Sequence, residues 1–279
     1  MEIKEPVIAR DQILFLDDPD FKPEHVCLVT GCGTGIGRAT AVAAAANGLT
    51  VAGLDVNEET AAETRAKAEE MGGKMIFLRT DLTVDAHIEN AVAEAAKLGQ
   101  IRYLANIAGI QHIDAVEDFP MEKYDLMQRI MLRAPFYLSK LVIPHLRKSP
   151  DGKGAIGHMA SVHAHITTMR KPVYNITKFG LRALAQSISA EGEGKIRSFT
   201  VSTGFVQTPL ALNQIPAQAK QRGISEEKVV TDVMMGASRI KEMMTPIEVG
   251  NLFMMGFSRF GKYLVGGDLL FDGGMVLTY

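Results

Sequence analysis

The stretch HVCLVTGCGTGIGRATAVAAAANG, residues 25–48, constrains the fold more than any other. HVCLVTG is an apolar run of strand length, and an alanine-rich helix is predicted over roughly residues 36–47. Between them, Gly31, Gly35 and Gly37 let the backbone turn sharply and come close to an anion. A strand running through such a turn into a helix presents the free N–H groups of the first helical turn at the strand's carboxyl end. That is the seat of a pyrophosphate.

The alternation continues. TVAGLD, KMIFLRTDL, IRYLANIAG, GAIGHMAS and KIRSFTVST read as strands, and YLVGGDLLFDGG as a final strand and turn. Helical segments separate most of them. This order predicts an α/β protein: a single-domain, Rossmann-like, doubly wound parallel sheet with helices on both faces. A long helical stretch over 121–148 carries Pro135 and Pro144 as expected interruptions, and another helix starts near Pro172. Residues 1–25 read as an N-terminal extension packed on the surface or on a neighbouring subunit, and 26–279 as the dinucleotide-binding and catalytic domain. Within it, 207–245 carries Pro, Gly and charge and reads as a mobile helical flap over the substrate. Methionine pairs at 234–235, 243–244 and 254–255 suit either an adaptable lid or core filling.

Apolar residues make up 47% of the 279, enough for a sizeable core. A net charge of −2 and the absence of a dense Lys/Arg tract argue against a nucleic-acid partner. The N-terminus lacks the basic region and uninterrupted apolar core of a signal peptide, and no apolar run reaches the ~18 residues of a membrane span. Cys27 and Cys32 cannot form a disulfide framework and suggest a reduced environment. The expectation is a soluble, cytoplasmic protein without a membrane partner.

Asp55 ends the second strand, 18 residues beyond Gly37. A carboxylate there can accept both ribose hydroxyls of NAD and repel the 2′-phosphate of NADP, so NAD is the expected cofactor. The plainer alternative for Asp55 is a helix N-cap.

HMASVHAHITTMRKPVYNITK, residues 158–178, holds three histidines, a serine, a tyrosine and three cations. Tyr174 and Lys178 are four residues apart and share one helical face. Ser161 precedes them at the end of a strand. Hydride transfer from an alcohol needs a base whose pKa lies near working pH. Free tyrosine titrates at about 10, and a neighbouring ammonium favours the phenolate. Ser161 can hold the substrate oxygen.

The glycine loop, Asp55, Asp81-Leu82, Asn106-x-Ala108-Gly109, Ser161/Tyr174/Lys178 and the terminal DGG together resemble the short-chain dehydrogenase/reductase family, over about residues 26–279. The resemblance implies an NAD-dependent enzyme acting on a CH–OH group, with Ser161, Tyr174 and Lys178 catalytic. It implies that Gly31, Thr34, Gly35, Ile36 and Gly37 cradle the cofactor and that Asp81 and Leu82 border the adenine. Asn106, Ala108 and Gly109 would line the cofactor cleft. Tyr174 and Lys178 would also contact the cofactor, Lys178 at the nicotinamide ribose, and Val206 and Thr208 would meet the carboxamide. A homo-oligomer, commonly a tetramer, is implied as well.

His163 and His165 have H-x-H spacing, but no Cys, His or carboxylate partners cluster nearby in the sequence, and no metal is expected. A Ser161/His163 nucleophile lacks a nucleophile elbow and an obvious acidic partner. His158, on a buried strand, reads as a packed core residue. Gln111, His163, Lys171 and Gln214, with the stretches GIQH, EDFPMEKYD, IPHLRK and KPVYNITKFG, resemble the bacterial 3-hydroxybutyrate dehydrogenases within the family. That resemblance implies that these four, with Ser161, bind a small 3-hydroxy acid and grip its carboxylate. The plainer alternative leaves Lys171 and Gln214 as solvated surface residues.

Three positions depart from the family pattern. Met131 stands where an asparagine commonly supports a water in a proton relay, and a thioether cannot replace its hydrogen bonds. Thr203-Gly204 replaces the usual Pro-Gly, and Ile107 the second asparagine of N-N-A-G. Arg133 adds an unusual cation close to Met131 in sequence. Two other readings follow: a short-chain dehydrogenase/reductase for a hydroxyacyl thioester, sugar or cyclic alcohol, or a weakly catalytic dinucleotide-binding protein.

Overall fold

Alternate residues of the first strand enter two different cores. In β1 (His25–Thr30), Cys27 and Val29 join one apolar cluster, while Val26 and Leu28 join another. This period of two, buried on both sides, belongs to a strand at the centre of a sheet covered on both faces. The computed structural model describes residues 5–277; Met1–Lys4 of the extension and Thr278–Tyr279 at the chain end lie outside the described residues.

The strands are β1, β2 (Thr50–Asp55), β3 (Lys74–Arg79), β4 (Gln100–Asn106), β5 (Gly154–Met159), β6 (Ile196–Thr203) and β7 (Asp268–Phe271). They form one parallel sheet in the order β3-β2-β1-β4-β5-β6-β7. The fold is the doubly wound Rossmann-like α/β architecture. Strand order reverses between β1 and β4, and a crevice opens there at the carboxyl ends of the strands.

One face is covered by α1 (Gly35–Ala46), α2 (Glu58–Glu70) and α10 (Pro246–Phe257), the other by α3 (Asp85–Leu98), α5 (Ala134–Arg147) and α6 (Pro172–Glu191). The alanines of α1 allow close approach: a Cβ on Gly250 of α10 would stand only 3.0 Å from the Ala39 carbonyl carbon. The extension packs on this same face, with Ile8, Ile13 and Phe21 buried in its core and the Asn251 side chain bonded to Gln12 and Leu14 backbone. His25 already belongs to β1, so the extension ends one residue earlier than expected.

The expected breaks at Pro135 and Pro144 do not occur. α4 (Met121–Gln128), a widened π-type turn at Arg129–Arg133 and α5 run on as one helical segment. The widened turn absorbs Pro135, which lacks an N–H for the preceding turn. Pro144 lies in the last turns of α5, and the carbonyl it leaves free belongs to exposed Lys140.

The segment after β6 folds into α7 (Pro209–Leu212), α8 (Ile215–Arg222), α9 (Glu226–Lys228) and a turn at Val229–Met234. It carries its own small core of Ile215, Ala219, Val229, Met234, Met235 and Met243. These methionines, with the fully buried Met254 of α10, fill cores, and none of them lines the crevice.

Candidate active site

The crevice is a cavity of about 360 Å³ beneath the flap. Its floor begins with the glycine loop. Gly31 has φ +67°, and a Cβ there would lie 2.9 Å from Ala108 Cα; one on Gly37 would lie 1.9 Å from the Gly31 carbonyl oxygen. Thr30 Oγ1 accepts the Ile107 and Ala108 N–H groups at 2.8 and 3.0 Å, locking the β4 loop against the glycine loop. Only a backbone stripped of side chains gives a cradle of this depth, and it fits a dinucleotide pyrophosphate.

Gly31, Thr34, Gly35, Ile36, Gly37, Asp55, Asp81, Leu82, Ala108, Gly109, Tyr174, Lys178, Val206 and Thr208 all line this one cavity. Asn106 does not. It faces His158 across the β4–β5 register, and its side-chain amide bonds His158 Nδ1 at 3.2 Å inside the core. The sheet geometry thus turns Asn106 away from the cleft expected for it. Asp55 is not the N-cap of α2; that role belongs to Asn57. The Asp55 carboxylate accepts from Gly33 N–H at 2.9 Å and Asn57 N–H at 3.0 Å at the crevice edge. Arg38, the cation nearest the loop, is engaged with the Gly33 carbonyl and with Glu63 at 2.6 Å.

Glu5 was not singled out by any sequence signal. Its carboxylate accepts the Gly35 N–H at 2.7 Å, an anion set on the first turn of α1. A local motif could not reveal this contact, which spans 30 residues.

At the other end of the cavity, Lys171 caps α6 and Pro172 opens it, so Tyr174 and Lys178 project from its first two turns. Lys178 Nζ donates to the Met159 carbonyl at 2.6 Å and lies 5.2 Å from the Tyr174 ring centre. Burial pulls the Lys178 ammonium down to about 7. Burial also pushes the Tyr174 phenol up to about 12, with Ser161 acting in the opposite direction. The polypeptide alone therefore does not produce the lowered tyrosine pKa expected from the lysine, because desolvation outweighs the hydrogen bond.

Ser161 Oγ lies 3.1 Å from His163 Nδ1, and His163 Nε2 lies 2.9 Å from Thr168 Oγ1. His165 turns elsewhere, to Asp268 at 2.6 Å, so the two histidines of H-x-H do not converge. His158 is fully buried between Asn106 and Ser198, as read from its strand.

Gln111, His163, Lys171 and Gln214 line the same cavity as Ser161 and Tyr174. Gln214 Nε2 donates to Gln111 Oε1 at 2.9 Å, tying the flap to the β4 loop. Gln111 Nε2 and Gln214 Oε1 are buried without a protein partner. The Lys171 ammonium forms no hydrogen bond or ion pair among the described residues; it faces the Phe205 ring at 5.8 Å, and burial lowers its pKa. So Lys171 and Gln214 are not solvated surface groups. Met131 is buried with Val173 and Tyr174, whereas Arg133 leaves the site to pair with Asp85 at 2.7 Å.

Burial holds His158 at about 3 and His163 at about 4, below the ordinary 6.5. Only the unfolded chain takes up these two protons as pH falls through 6.5, so stability is full above that value and declines below it. At pH 5.5 each histidine is expected to cost about 1.4 kcal/mol. Chemical denaturation at pH 7.5 and 5.5 checks this: His158→Phe should flatten the slope, and an unchanged slope would contradict the assignment.

The chain matches the short chain dehydrogenase family over residues 25–219. It is 30% identical over 251 residues to a D-beta-hydroxybutyrate dehydrogenase of Rhizobium meliloti, covering 88% of this chain and 96% of that one. It is 32% identical to a 2,5-dichloro-2,5-cyclohexadiene-1,4-diol dehydrogenase of Sphingobium indicum, covering 89% of this chain and 95% of the relative. In fold it superposes on a short-chain type dehydrogenase/reductase from Mycobacterium marinum with a TM-score of 0.79, at 22% identity, over 92% and 97% of the two chains. With its crevice, its glycine cradle and its Ser161/Tyr174/Lys178 set, the chain belongs to the short-chain dehydrogenase family and is an oxidoreductase of CH–OH groups.

Proposed function

We propose that the protein interconverts a small 3-hydroxy acid and its 3-oxo acid, using NAD. The observation that carries this reading is the far wall of the cavity: one ammonium with no anionic partner among the described residues, Lys171, in the same lining as two amides with unused polar atoms, Gln111 and Gln214. A half-buried cation in such company suits a carboxylate, and the amides add oriented donors. The relatives named for hydroxybutyrate support the same substrate class.

The residues present fit a nicotinamide dinucleotide. The glycine cradle would hold the pyrophosphate, Asp55 the adenine ribose, and Val206 and Thr208 the carboxamide. When bound, the nicotinamide supplies the hydride acceptor and a positive charge beside Tyr174. Tyr174 then takes the hydroxyl proton as phenolate, Ser161 holds the same oxygen, and Lys178 places a positive charge beside the phenolate. Lys171 with Gln111 and Gln214 fixes the carboxylate, which orients the carbinol hydrogen.

NAD is favoured over NADP because Asp55 is fixed at the crevice edge and Arg38 is committed to Glu63 and Gly33. Asp55→Ala is expected to lower the NAD-over-NADP ratio of kcat/KM by about 10-fold or more, as one charge repulsion is removed. An unchanged ratio would remove Asp55 from cofactor selection.

The carboxylate clamp is tested by Lys171→Ala. KM for 3-hydroxybutyrate should rise by about 10–100-fold, with kcat much less affected, as removal of a charge-assisted contact requires. Equal losses with an uncharged alcohol such as 2-butanol would contradict the clamp and favour the reading in which a cyclic or neutral alcohol is the substrate.

A further inference from the structure

Gln111 and Lys171 reach the cavity wall from two segments without regular structure, the loop after β4 and the turn that leads into α6. Side chains on loops hold a ligand only as well as the loops themselves are held. Arg170, immediately before Lys171, has φ +64°. This is the left-handed region, which a residue with a Cβ adopts at a cost that glycine avoids. Arg170 is kept there by the other loop. Asp114 N–H donates to the Arg170 carbonyl at 2.8 Å, and the Asp114 carboxylate accepts from the Arg170 guanidinium at 3.3 Å. The same carboxylate oxygen accepts the Ala115 N–H at 2.9 Å, fixing the loop on its own side. Asn175 of α6 donates to the Thr168 carbonyl at 3.3 Å and fixes the turn on the other. Asp114 follows Gln111 by three residues, and Gln111 in turn accepts from Gln214 of the flap at 2.9 Å. An exposed ion pair adds little by itself, so the main tie is the backbone bond and the left-handed turn it closes.

We infer that Asp114 and Arg170 form a clasp that positions Lys171 against Gln111 and so sets the selectivity for an alcohol bearing a carboxylate. The inference rests on the hydroxy-acid reading above and adds the residues that aim its clamp. Neither residue lines the cavity, so both act through Lys171 and are positioning residues. With φ near −65° at position 170, the chain would enter Lys171 in another direction, and a misplacement of about 1 Å is enough to lose a positioned contact. The Arg170 N–H donates to no group among the described residues, so its backbone conformation can be changed without deleting a hydrogen bond of its own.

Three substitutions of Arg170 remove the guanidinium alike and differ in backbone freedom. Glycine adopts a positive φ freely, alanine does so at a cost, and proline is locked near −65°. The experiment is steady-state oxidation of 3-hydroxybutyrate by the full-length enzyme with NAD, beside fluorescence titration with NADH. Arg170→Gly should keep KM for the hydroxy acid near wild type, Arg170→Ala should raise it by about 3-fold, and Arg170→Pro by about 10-fold or more. Asp114→Ala should match Arg170→Ala. In all four variants kcat and NADH affinity should hold, which a merely structural role would not allow. The contrast between Arg170→Gly and Arg170→Ala decides the matter even if Arg170→Pro does not fold. A KM that ignores this order, or one that worsens together with kcat and NADH affinity, would overturn the clasp. Lys171→Ala, measured in parallel, separates the inference from its basis. A raised KM in Lys171→Ala with a flat series at position 170 would overturn the clasp alone. An unchanged KM in Lys171→Ala, or a wild type that forms no NADH from 3-hydroxybutyrate, would overturn the hydroxy-acid reading and the clasp with it.

Discussion

Tyr174→Phe is expected to lower kcat by about 10³-fold, within the range that a positioned general base contributes. The change removes one oxygen at the end of a ring whose packing partners, Met127, Met131 and Val173, are apolar, so the fold should be unaffected. NADH affinity should stay within a few-fold of wild type, because the cradle lies at the other end of the cavity. Steady-state kinetics with NAD and fluorescence titration with NADH read the two effects separately. Near-normal turnover in Tyr174→Phe would mean that Tyr174 is not the base. Lys178→Met should also be severe, because it removes the positive charge beside the phenolate.

Gly37→Ala is expected to abolish dinucleotide binding. The added Cβ would stand 1.9 Å from the Gly31 carbonyl oxygen and 3.1 Å from that of Thr30. These are backbone atoms of the loop itself, so relief requires the cradle to open. Overpacking against side chains costs about 1–3 kcal/mol, and backbone relaxes less readily. A loss of at least about 100-fold in NADH affinity, with a lower melting temperature, is the expected result. Gly109→Ala is the contrast: its Cβ would meet Met131 Sδ at an ordinary 3.5 Å, so the fold should hold. Wild-type NADH affinity in Gly37→Ala would mean that the loop is not the pyrophosphate seat.

The parts legible in the sequence are those whose chemistry is local. The glycine spacing, the strand that feeds it and the i, i+4 pair Tyr174/Lys178 each occupy a few consecutive residues, and the structure brings the glycine loop and the pair to one cavity. Alternation of strands and helices carried the parallel sheet, because a right-handed crossover leaves few other arrangements. What was not legible depends on partners far along the chain. Asn106 has a polar side chain next to the glycine turn, yet the β4–β5 register points it at His158. Arg133 is two residues from Met131 but leaves the site for Asp85, 48 residues away. Pro135 reads as a helix break only until a widened turn accommodates it. His163 lines the cavity as its sequence position suggested, but its second partner, Thr168, carried no signal beyond proximity. The methionine pairs could not be divided between lid and core by composition; packing assigns Met234, Met235 and Met243 to the flap's own core and Met244 to the main one.

In the proposed function the cradle, the Ser161/Tyr174/Lys178 set and the Lys171 wall act together on one small hydroxy acid. The measurement that tests it most directly is NADH formation from NAD by the wild-type protein with (R)- and (S)-3-hydroxybutyrate, beside NADP and a panel of uncharged alcohols. Robust turnover is expected with NAD and one enantiomer, and much weaker turnover with NADP or an alcohol lacking the carboxylate. Tight NADH binding with no turnover of either enantiomer, but turnover of an uncharged or cyclic alcohol, would contradict it.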